Sequence, residues 1–355
     1  MRDVAQRARV SVKTVSRVFN DDPHVLPETR QRVEEALAQL NYTPNTLART
    51  FRDGRSSVIG VAVPIIADPF FSSIAKAVEA GAAAYDMSVL VCSLGPDPVR
   101  EQEVVENLLR RQLAALIIAP TSTDHSYLER WSAKVPVVFV DRPPRNLQAD
   151  CFVEDDFGGA QAATRHLIEH GHRSIAFVGN SLDVSTTANR LVGYKSALAE
   201  AGIRYRRNLL ALDAATPDGA GRAVQALAAV KTPPSAVFSS DAQTTMVMVP
   251  ALARRRWSLA AFGDFPMAEM LSPALTVIDQ DPNALGQLAV ERAIARLEDG
   301  ESAQAHAVEH TTLPVKLLER ESCKLLGAQE HLFPRSVADG AGKIVWQTPE
   351  QALRA

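Results

Sequence analysis

The sequence predicts an α/β protein in which a small N-terminal helical head precedes two doubly wound parallel-sheet subdomains. From Val58 onward, short apolar runs such as VIGVAVP, AALIIAP and SAVFSS alternate with helical patterns. Strands this apolar, separated by about ten to fifteen helical residues, are typical of parallel sheets covered on both faces. The runs fall into two groups, which predicts two subdomains. Ahead of them, three short amphipathic segments within residues 1 to 43 predict a helix-turn-helix.

The head begins with a short helix over residues 3 to 9, DVAQRAR, followed by a tight turn. Ser11 can cap the second helix, whose narrow apolar stripe follows the i, i+3, i+4 rule at Val15, Val18 and Phe19. The segment LPETRQRVEEALAQLNY predicts a third helix with Pro27 in its first turn. Three helices with so short a first turn favour a nucleic-acid-binding head.

The remaining surface of the second helix carries hydrogen-bond donors and positive charge. These side chains are Lys13, Thr14, Ser16, Arg17 and Asn20. In a helix-turn-helix, the second helix enters the major groove of DNA, which gives such a polar face a purpose. An ordinary amphipathic surface helix is the alternative interpretation of this stretch taken alone.

Composition adds a weak charge signal and few constraints. The chain has 355 residues and a net charge of -3, with residues 1 to 60 slightly basic and the remainder acidic. Three widely spaced cysteines, Cys92, Cys151 and Cys323, lie in or beside apolar runs, so we expect reduced thiols. Because the sequence contains neither a signal peptide nor a long apolar span, we expect a cytoplasmic, nucleoid-associated protein.

Three motifs carry a family resemblance. DVAQRARVSVKTVSRVFN, ETRQRVEEALAQLNYTPNTLARTFR and VIGVAVPIIADPFF occur in this order and at family spacing. The chain thereby resembles the LacI/GalR-type bacterial transcriptional repressors, over a stretch that ends near residue 322. The resemblance implies a homodimer or tetramer, an operator-binding head, a hinge helix and a core similar to periplasmic sugar-binding proteins.

The resemblance also implies roles for the second helix. Val12, Lys13 and Arg17 occupy the family positions that read bases, and Lys13 and Arg17 can donate to guanine. Thr14, Ser16 and Asn20 would contact phosphates and set the register on the duplex. Val12 could instead extend the apolar stripe of its helix. Arg9 stands where the family often has glycine in the turn.

A hinge follows the head at residues 44–57. Pro44 and Asn45 signal a helix start, but so short a helix is marginal in water, so we expect it to form only on DNA. Phe51 occupies the position at which a family leucine wedges between base pairs, and an aromatic ring can do the same. The alternative is that Phe51 docks on the core of its own chain.

The resemblance and the order of apolar runs together suggest domain boundaries. The head covers residues 1–43, the hinge helix and linker 44–57, and the effector-binding and dimerisation core 58–322. Within the core, the first subdomain is placed at about 58–154 and 281–308, and the second at about 155–280 and 309–322. Residues 323–355 form a C-terminal extension of unknown role that we expect to be partly disordered.

Polar residues follow several of the predicted strands, and a ligand is expected at the carboxyl ends of such strands. They are Asp68, which the aromatic Phe70 accompanies, Asp141 with Arg142, Asp241, Asp264 and Gln280. Arg190 matches the effector-binding arginine of the family. Carboxylates, an arginine and an aromatic ring suit a sugar or sugar acid, although an aspartate at a strand end often caps the next helix instead. Gly263 stands where most relatives have a carboxylate.

We therefore predict a DNA-binding transcriptional regulator, a repressor that binds a palindromic operator as a dimer and responds to a small carbohydrate-like effector. A binding protein without DNA output, or a regulator controlled by a corepressor or protein partner, remains an alternative. GxSxG, GxGxxG and P-loop motifs are missing, and Gly171 explains the HGH of residues 170–172 as a helix end. No catalytic residue, metal ligand or cofactor is predicted.

Overall fold

A computed structural model describes residues 2–19, 22–40, 57–95, 97–253, 255–298, 307–324, 336–338 and 344–346. The chain divides into two compact units, residues 1–56 and 57–355. No helix within the described ranges combines the length and apolar character needed to cross a membrane.

The head consists of three helices around one small core. They are α1 (Arg2–Ala8), α2 (Val12–Phe19) and α3 (Pro27–Gln39). The core is built from short apolar side chains of all three helices: Val4, Ala5, Ala8, Val15, Val18, Val33 and Ala36. Ser11 caps α2, because its Oγ accepts a hydrogen bond from the Thr14 amide at 3.0 Å. Helix α3 has no side-chain cap at Leu26 and begins with Pro27.

The turn between α1 and α2 places Arg9 in the left-handed region, with φ of 54°. The Val10 amide reaches back to the Ala5 carbonyl at 3.0 Å, a bond that closes the end of α1. This backbone conformation is natural for glycine and costs an arginine about 1 kcal/mol. The non-glycine residue is therefore tolerated at this turn, at some expense in stability.

Arg9→Gly is accordingly expected to stabilise the head by roughly 0.5–1 kcal/mol, because relief of the left-handed strain outweighs the added freedom of the unfolded chain. Amide hydrogen exchange of α1 and α2 in the full-length protein would measure the change. Arg32→Gly, on the exposed surface of α3, is the control and should destabilise. Faster exchange in Arg9→Gly would contradict the prediction.

The first sheet of the core has six parallel strands. They are β1 (Val58–Val63), β2 (Ser88–Ser93), β3 (Ala115–Ile118), β4 (Val137–Val140), β5 (Asp150–Glu154) and β11 (His310–Leu313), in the order β11-β5-β4-β3-β1-β2. Helices α4 (Pro69–Ala83) and α11 (Pro282–Glu298) pack on one face. Helix α5 (Pro98–Leu109) packs on the other, and the short α6 (Glu129–Ser132) follows a 3-10 turn at Ser126–Leu128.

The second sheet repeats this plan. Its strands are β6 (Ile175–Val178), β7 (Leu210–Ala211), β8 (Ala236–Ser239), β9 (Ser258–Phe262), β10 (Thr276–Asp279) and β12 (Lys316–Leu318), in the order β12-β10-β9-β8-β6-β7. Only β12 runs antiparallel to its neighbour. Helices α7 (Asp156–Glu169) and α8 (Ser185–Glu200) cover one face, and α9 (Pro217–Ala228) and α10 (Ala242–Leu252) the other. The predicted fold class is confirmed.

The chain crosses between the two sheets three times, after β5, after β10 and between β11 and β12. The last crossing differs from the prediction, which assigned residues 309–322 to the second subdomain. His310–Leu313 instead pairs with β5 of the first sheet. Pro314 then interrupts the hydrogen-bonding ladder, because proline has no amide donor, and the chain joins the second sheet at Lys316.

The segment after residue 322 begins inside the core. Cys323 is buried in the second subdomain, and its thiol lies 3.6 Å from the Leu259 carbonyl. Further on, β13 (Ser336–Ala338) and β14 (Ile344–Trp346) pair antiparallel. The rest of the predicted extension lies outside the described residues. Cys92, Cys151 and Cys323 are all free thiols, as expected, and burial raises the pKa of both Cys151 and Cys323 to about 12.

Candidate functional site

A cavity of about 340 Å³ lies between the two subdomains, at the carboxyl ends of their parallel strands. Six of the seven residues predicted to bind an effector line it: Asp68, Phe70, Asp141, Arg190, Asp241 and Gln280. Because both subdomains contribute, a molecule bound here would contact both halves of the core.

Two of the aspartates in the cavity also cap helices. Asp68 accepts a hydrogen bond from the Phe70 amide at 2.9 Å at the start of α4. Asp241 caps α10 through the Thr244 amide at 2.7 Å and accepts further bonds from the hydroxyls of Ser240 and Thr244. Capping and ligand binding are compatible, since an ionised carboxylate has about four acceptor sites. Asp68 therefore retains more free acceptor capacity than Asp241.

Asp141 is held in an unusual backbone conformation at the end of β4, with φ of 65°. Its carboxylate is almost fully buried and lies 3.1 Å from the Arg142 guanidinium. Arg142 also donates to the Pro120 carbonyl at 2.7 Å. Left-handed aspartates are uncommon, and such strain concentrates at binding sites. The turn fixes this carboxylate at the wall of the cavity.

Arg190 combines a lining position with a structural role. Its Nε donates to Asp156 at 2.7 Å, its Nη1 donates to the Ser240 carbonyl at 2.7 Å, and its guanidinium lies 3.7 Å from the centre of the Phe262 ring. The side chains of Arg190 and Asp156 are 6% and 9% exposed, so this ion pair is buried. The guanidinium is thus oriented before any ligand arrives.

Two buried carboxylates near the cavity were not singled out from the sequence. Asp156 begins α7 and pairs with Arg190, and Glu154 ends β5 at the first crossing. Glu154 accepts hydrogen bonds from the Gln280 side chain and, at 2.9 Å, from the Asp281 amide, both at the second crossing. Glu154 therefore ties two of the three connections between the subdomains together.

Burial raises the pKa of Glu154 from 4.5 to about 7, against the lowering effect of its bond from Gln280, and Asp141 raises it further. Burial likewise raises the pKa of Asp156 to about 6, although Arg190 opposes this. An acid whose pKa is raised by folding holds its proton more tightly in the folded protein. The stabilisation that Glu154 contributes is present below pH 4.5 and is lost as the pH rises through about 7.

Glu154→Gln is therefore expected to remove part of the fall in stability between about pH 4.5 and pH 7. Other acids, such as Asp150, whose pKa is lowered, act in the opposite direction, so the measured quantity is the difference between parent and variant melting temperatures across this window. The melting temperature of the variant should increase relative to that of the parent as the pH rises. A constant difference from pH 4.5 to 7 would contradict the raised pKa of Glu154.

Asp264 does not line the cavity, and its place in the predicted effector set needs correction. Its carboxylate forms two hydrogen bonds with Arg320, at 2.7 and 3.2 Å. Asp264 therefore anchors the segment that follows β12. Its neighbour Gly263 adopts φ of 86°, and a Cβ there would lie 2.9 Å from the Gln280 side-chain oxygen. A side chain at position 263 would therefore press on Gln280.

The polar face of α2 is exposed in the head. Lys13 and Arg17 are exposed, and Val12 is 44% exposed, so Val12 does not extend the buried stripe of Val15 and Val18. An apolar side chain displayed beside two cations is suited to a thymine methyl. Thr14 and Ser16 are half-buried on the same helix. Asn20 and hinge residues 44–56, including Phe51, lie outside the described residues.

Asp22 holds Arg17 from one side. The Arg17 Nε donates to Asp22 at 2.7 Å, and Asp22 also accepts bonds from the amide and the ring of His24. These bonds, first that of the His24 amide and then that of Arg17, hold the pKa of Asp22 far below its usual range. Because the bond to Asp22 uses the Nε of Arg17, the Nη1 and Nη2 groups remain for another partner. Two such parallel donors suit bidentate contact with a guanine.

Comparison with known proteins covers both units. Residues 1–45 match the model for bacterial regulatory proteins of the lacI family, and residues 56–311 match the model for periplasmic binding proteins and the sugar-binding domain of the LacI family. The chain belongs to the LacI family. It is therefore a DNA-binding transcriptional regulator, as predicted from the sequence.

Individual relatives match most of this LacI-family chain. The ribose operon repressor of Haemophilus influenzae is 30% identical over 84% of this chain and 92% of its own length. The HTH-type transcriptional repressor PurR of Mannheimia succiniciproducens is 26% identical over 89% of this chain and 97% of its own length. The crystal structure of the lac repressor dimer bound to operator and an anti-inducer superposes with a TM-score of 0.77, at 27% identity, covering 91% of this chain and 98% of that one.

Proposed function

We propose that this regulator is a repressor that binds a palindromic operator as a homodimer. An uncharged polyhydroxylated ligand in the cavity changes its affinity for the operator. The observation that carries the proposal is the cavity itself, in which acceptor side chains from both subdomains converge at the carboxyl ends of two sheets. A ligand that binds both halves favours one closure angle, and a change of closure can be coupled to DNA binding.

The charge of the cavity supports an uncharged ligand. Among the described lining residues are four carboxylates, Asp68, Asp141, Asp183 and Asp241, and two guanidiniums, Arg142 and Arg190. Both guanidiniums are already paired with carboxylates. Carboxylates accept hydrogen bonds from hydroxyl groups, whereas a sugar acid or sugar phosphate would bring a further negative charge against them. Ribose is the first candidate, since several relatives are named ribose operon repressors.

The surface of the first subdomain supports self-association. Tyr85 and, on edge strand β2, Leu90 and Val91 expose large apolar side chains. Next to them, α4 and α11 line a groove of about 440 Å³ with alanines, Val290 and Ile294 and with the polar side chains of Asn283, Gln287 and Glu291. We infer that a second copy of the same face occupies this surface. Two heads related by the resulting twofold axis would then bind a palindromic site.

A gel shift on the upstream region of the gene tests the DNA output. The full-length protein should retard this fragment specifically in the presence of competitor DNA, whereas Lys13→Ala combined with Arg17→Ala should not. If the protein binds sugars but retards no specific fragment, it is a ligand-sensing protein without DNA output. If retardation needs an added protein or a corepressor, the mode of control differs from the one proposed.

Phe70 supplies an apolar wall of the cavity, and Phe70→Ala is expected to raise the ligand concentration needed for a half-maximal effect on operator binding by roughly tenfold, because about 1.4 kcal/mol of ring contact is lost. Operator affinity without ligand should not change. Phe157→Ala is the matched control, since this ring is 42% exposed on α7 and does not line the cavity. Equal effects of the two substitutions would remove Phe70 from the binding site.

A further inference from the structure

Three potential metal ligands meet in the second subdomain, outside the cavity. His166 lies in the last turn of α7, His170 caps the end of this helix, and Glu319 directly follows β12. One donor atom of each side chain lies within 4.8 Å of the other two. The helix places the two histidines four residues apart on one face, and the fold brings the glutamate to them across about 150 positions of sequence.

His166 has an unsatisfied polar atom. Its side chain is only 4% exposed, and its Nε2 has no hydrogen-bond partner within the described part of the chain. A buried nitrogen without a partner destabilises the folded protein, so its presence calls for a physical reason. An imidazole nitrogen without a hydrogen-bond partner has a lone pair that it can offer to a metal ion. A neutral imidazole is the form that binds a metal ion.

His170 is oriented by the protein in the way that metal-binding histidines are. Its Nδ1 lies 2.9 Å from the His166 carbonyl, which fixes the proton on Nδ1 and leaves Nε2 as the acceptor. The two imidazole rings lie 4.3 Å apart between centres, tilted by 53°, so neither ring blocks the other by flat stacking. Glu319 is exposed and brings the only carboxylate of the group.

We propose that His166, His170 and Glu319 form a binding site for a divalent transition-metal ion, with zinc as the cation that fits best. Two imidazoles and one carboxylate are a usual zinc set, whereas magnesium and calcium prefer all-oxygen sites. Zinc bonds of about 2.0–2.1 Å would bring the ligand atoms to roughly 3.3 Å from one another, an approach that needs mainly a movement of the exposed Glu319 side chain. Water would complete the tetrahedron.

The position of this site defines what the metal ion would do. His166 follows Asp156 by ten positions along α7, so the site lies about 15 Å along the helix from the Arg190 ion pair. Bound zinc would connect the end of α7 to the segment that directly follows β12, the strand at which the last crossing enters the second sheet. The ion would therefore stabilise the second subdomain without contacting the ligand in the cavity. This inference does not depend on the identity of that ligand.

The test is a zinc titration of the metal-free full-length protein against a chromophoric chelator. We expect one zinc ion per chain and a rise in melting temperature on binding. His170→Leu and Glu319→Gln should each weaken binding by about tenfold or more, and the double variant should lose the zinc-dependent rise. Both positions are at least partly exposed, so these variants should fold. Cobalt in place of zinc should give the visible absorption of a tetrahedral site in the parent but not in the double variant.

His310→Gln is the control, because His310 is exposed on β11 and belongs to no cluster of metal ligands among the described residues. It should bind zinc like the parent. The proposal is overturned if the parent binds zinc no more tightly than the double variant, or if His310→Gln weakens binding as much as His170→Leu does. It is also overturned if zinc leaves the melting temperature of the parent unchanged at saturation.

Discussion

Replacing Arg190 with alanine is expected to lower the free energy of unfolding of the core by roughly 3–5 kcal/mol, because it leaves the buried Asp156 carboxylate without its partner. The Ser240 carbonyl and the face of the Phe262 ring lose their contacts at the same time. Chemical denaturation of the full-length protein, followed by the fluorescence of Trp257 in the second subdomain, measures the change.

A double variant separates the structural role of Arg190 from its role in ligand binding. Arg190→Met with Asp156→Leu removes both charges and should recover most of the lost stability, since buried ion pairs can often be replaced by apolar side chains of similar volume. The recovered protein should bind operator but no longer respond to ligand. A response equal to that of the parent would remove Arg190 from the ligand site. A loss below about 1 kcal/mol in Arg190→Ala would contradict the buried ion pair.

Arg17→Ala is expected to weaken binding to the preferred operator by roughly 1–3 kcal/mol and to relax the base preference at one position in each half-site. Arg32→Ala is the matched control, because it removes an exposed arginine from α3 rather than from α2. Selection from a random DNA pool measures affinity rank and consensus together. A non-palindromic consensus, or an unchanged preference in Arg17→Ala, would refute the assignment.

Asp22→Asn extends this test to the residue that positions Arg17. The variant keeps the size of the side chain but weakens the charged hydrogen bond to the Arg17 Nε. Less negative charge near DNA should strengthen binding to any sequence, while a less oriented Arg17 should discriminate less between bases. The ratio of specific to nonspecific affinity should therefore fall. A ratio equal to that of the parent would mean that Arg17 needs no support from Asp22.

The fold was accessible from sequence because its signals are local. Continuous apolar runs predict buried parallel strands, and residues that follow such strands meet at one edge, which is why Asp68, Asp141 and Asp241 reach a common cavity. The hydrogen-bond and ion-pair partners of the site residues could not be predicted from the sequence. Asp264, for example, was predicted to face the ligand but pairs with Arg320, which lies far away in sequence.

Other features of the site depend on burial, which a single sequence does not display. Glu154 and Asp156 lie in the stretch FVEDDFGG. Of its three acidic residues, only Asp155 has a role of a local kind, as the N-cap of α7. Their roles arise from Gln280 and Arg190, which the fold brings from other elements. His166 and His170 had a helical spacing visible in the sequence, but their approach to Glu319 required the third crossing of the chain.

The most direct test of the proposed control is fluorescence anisotropy of a labelled operator bound by the full-length protein, titrated in parallel with ribose, other neutral sugars and their phosphate esters. We expect at least one neutral sugar to change operator affinity by about 1–3 kcal/mol, a typical allosteric coupling, and its phosphate ester to have little effect because of the carboxylates in the cavity. A response to the phosphate ester alone, or to none of these compounds, would contradict control by an uncharged polyhydroxylated ligand.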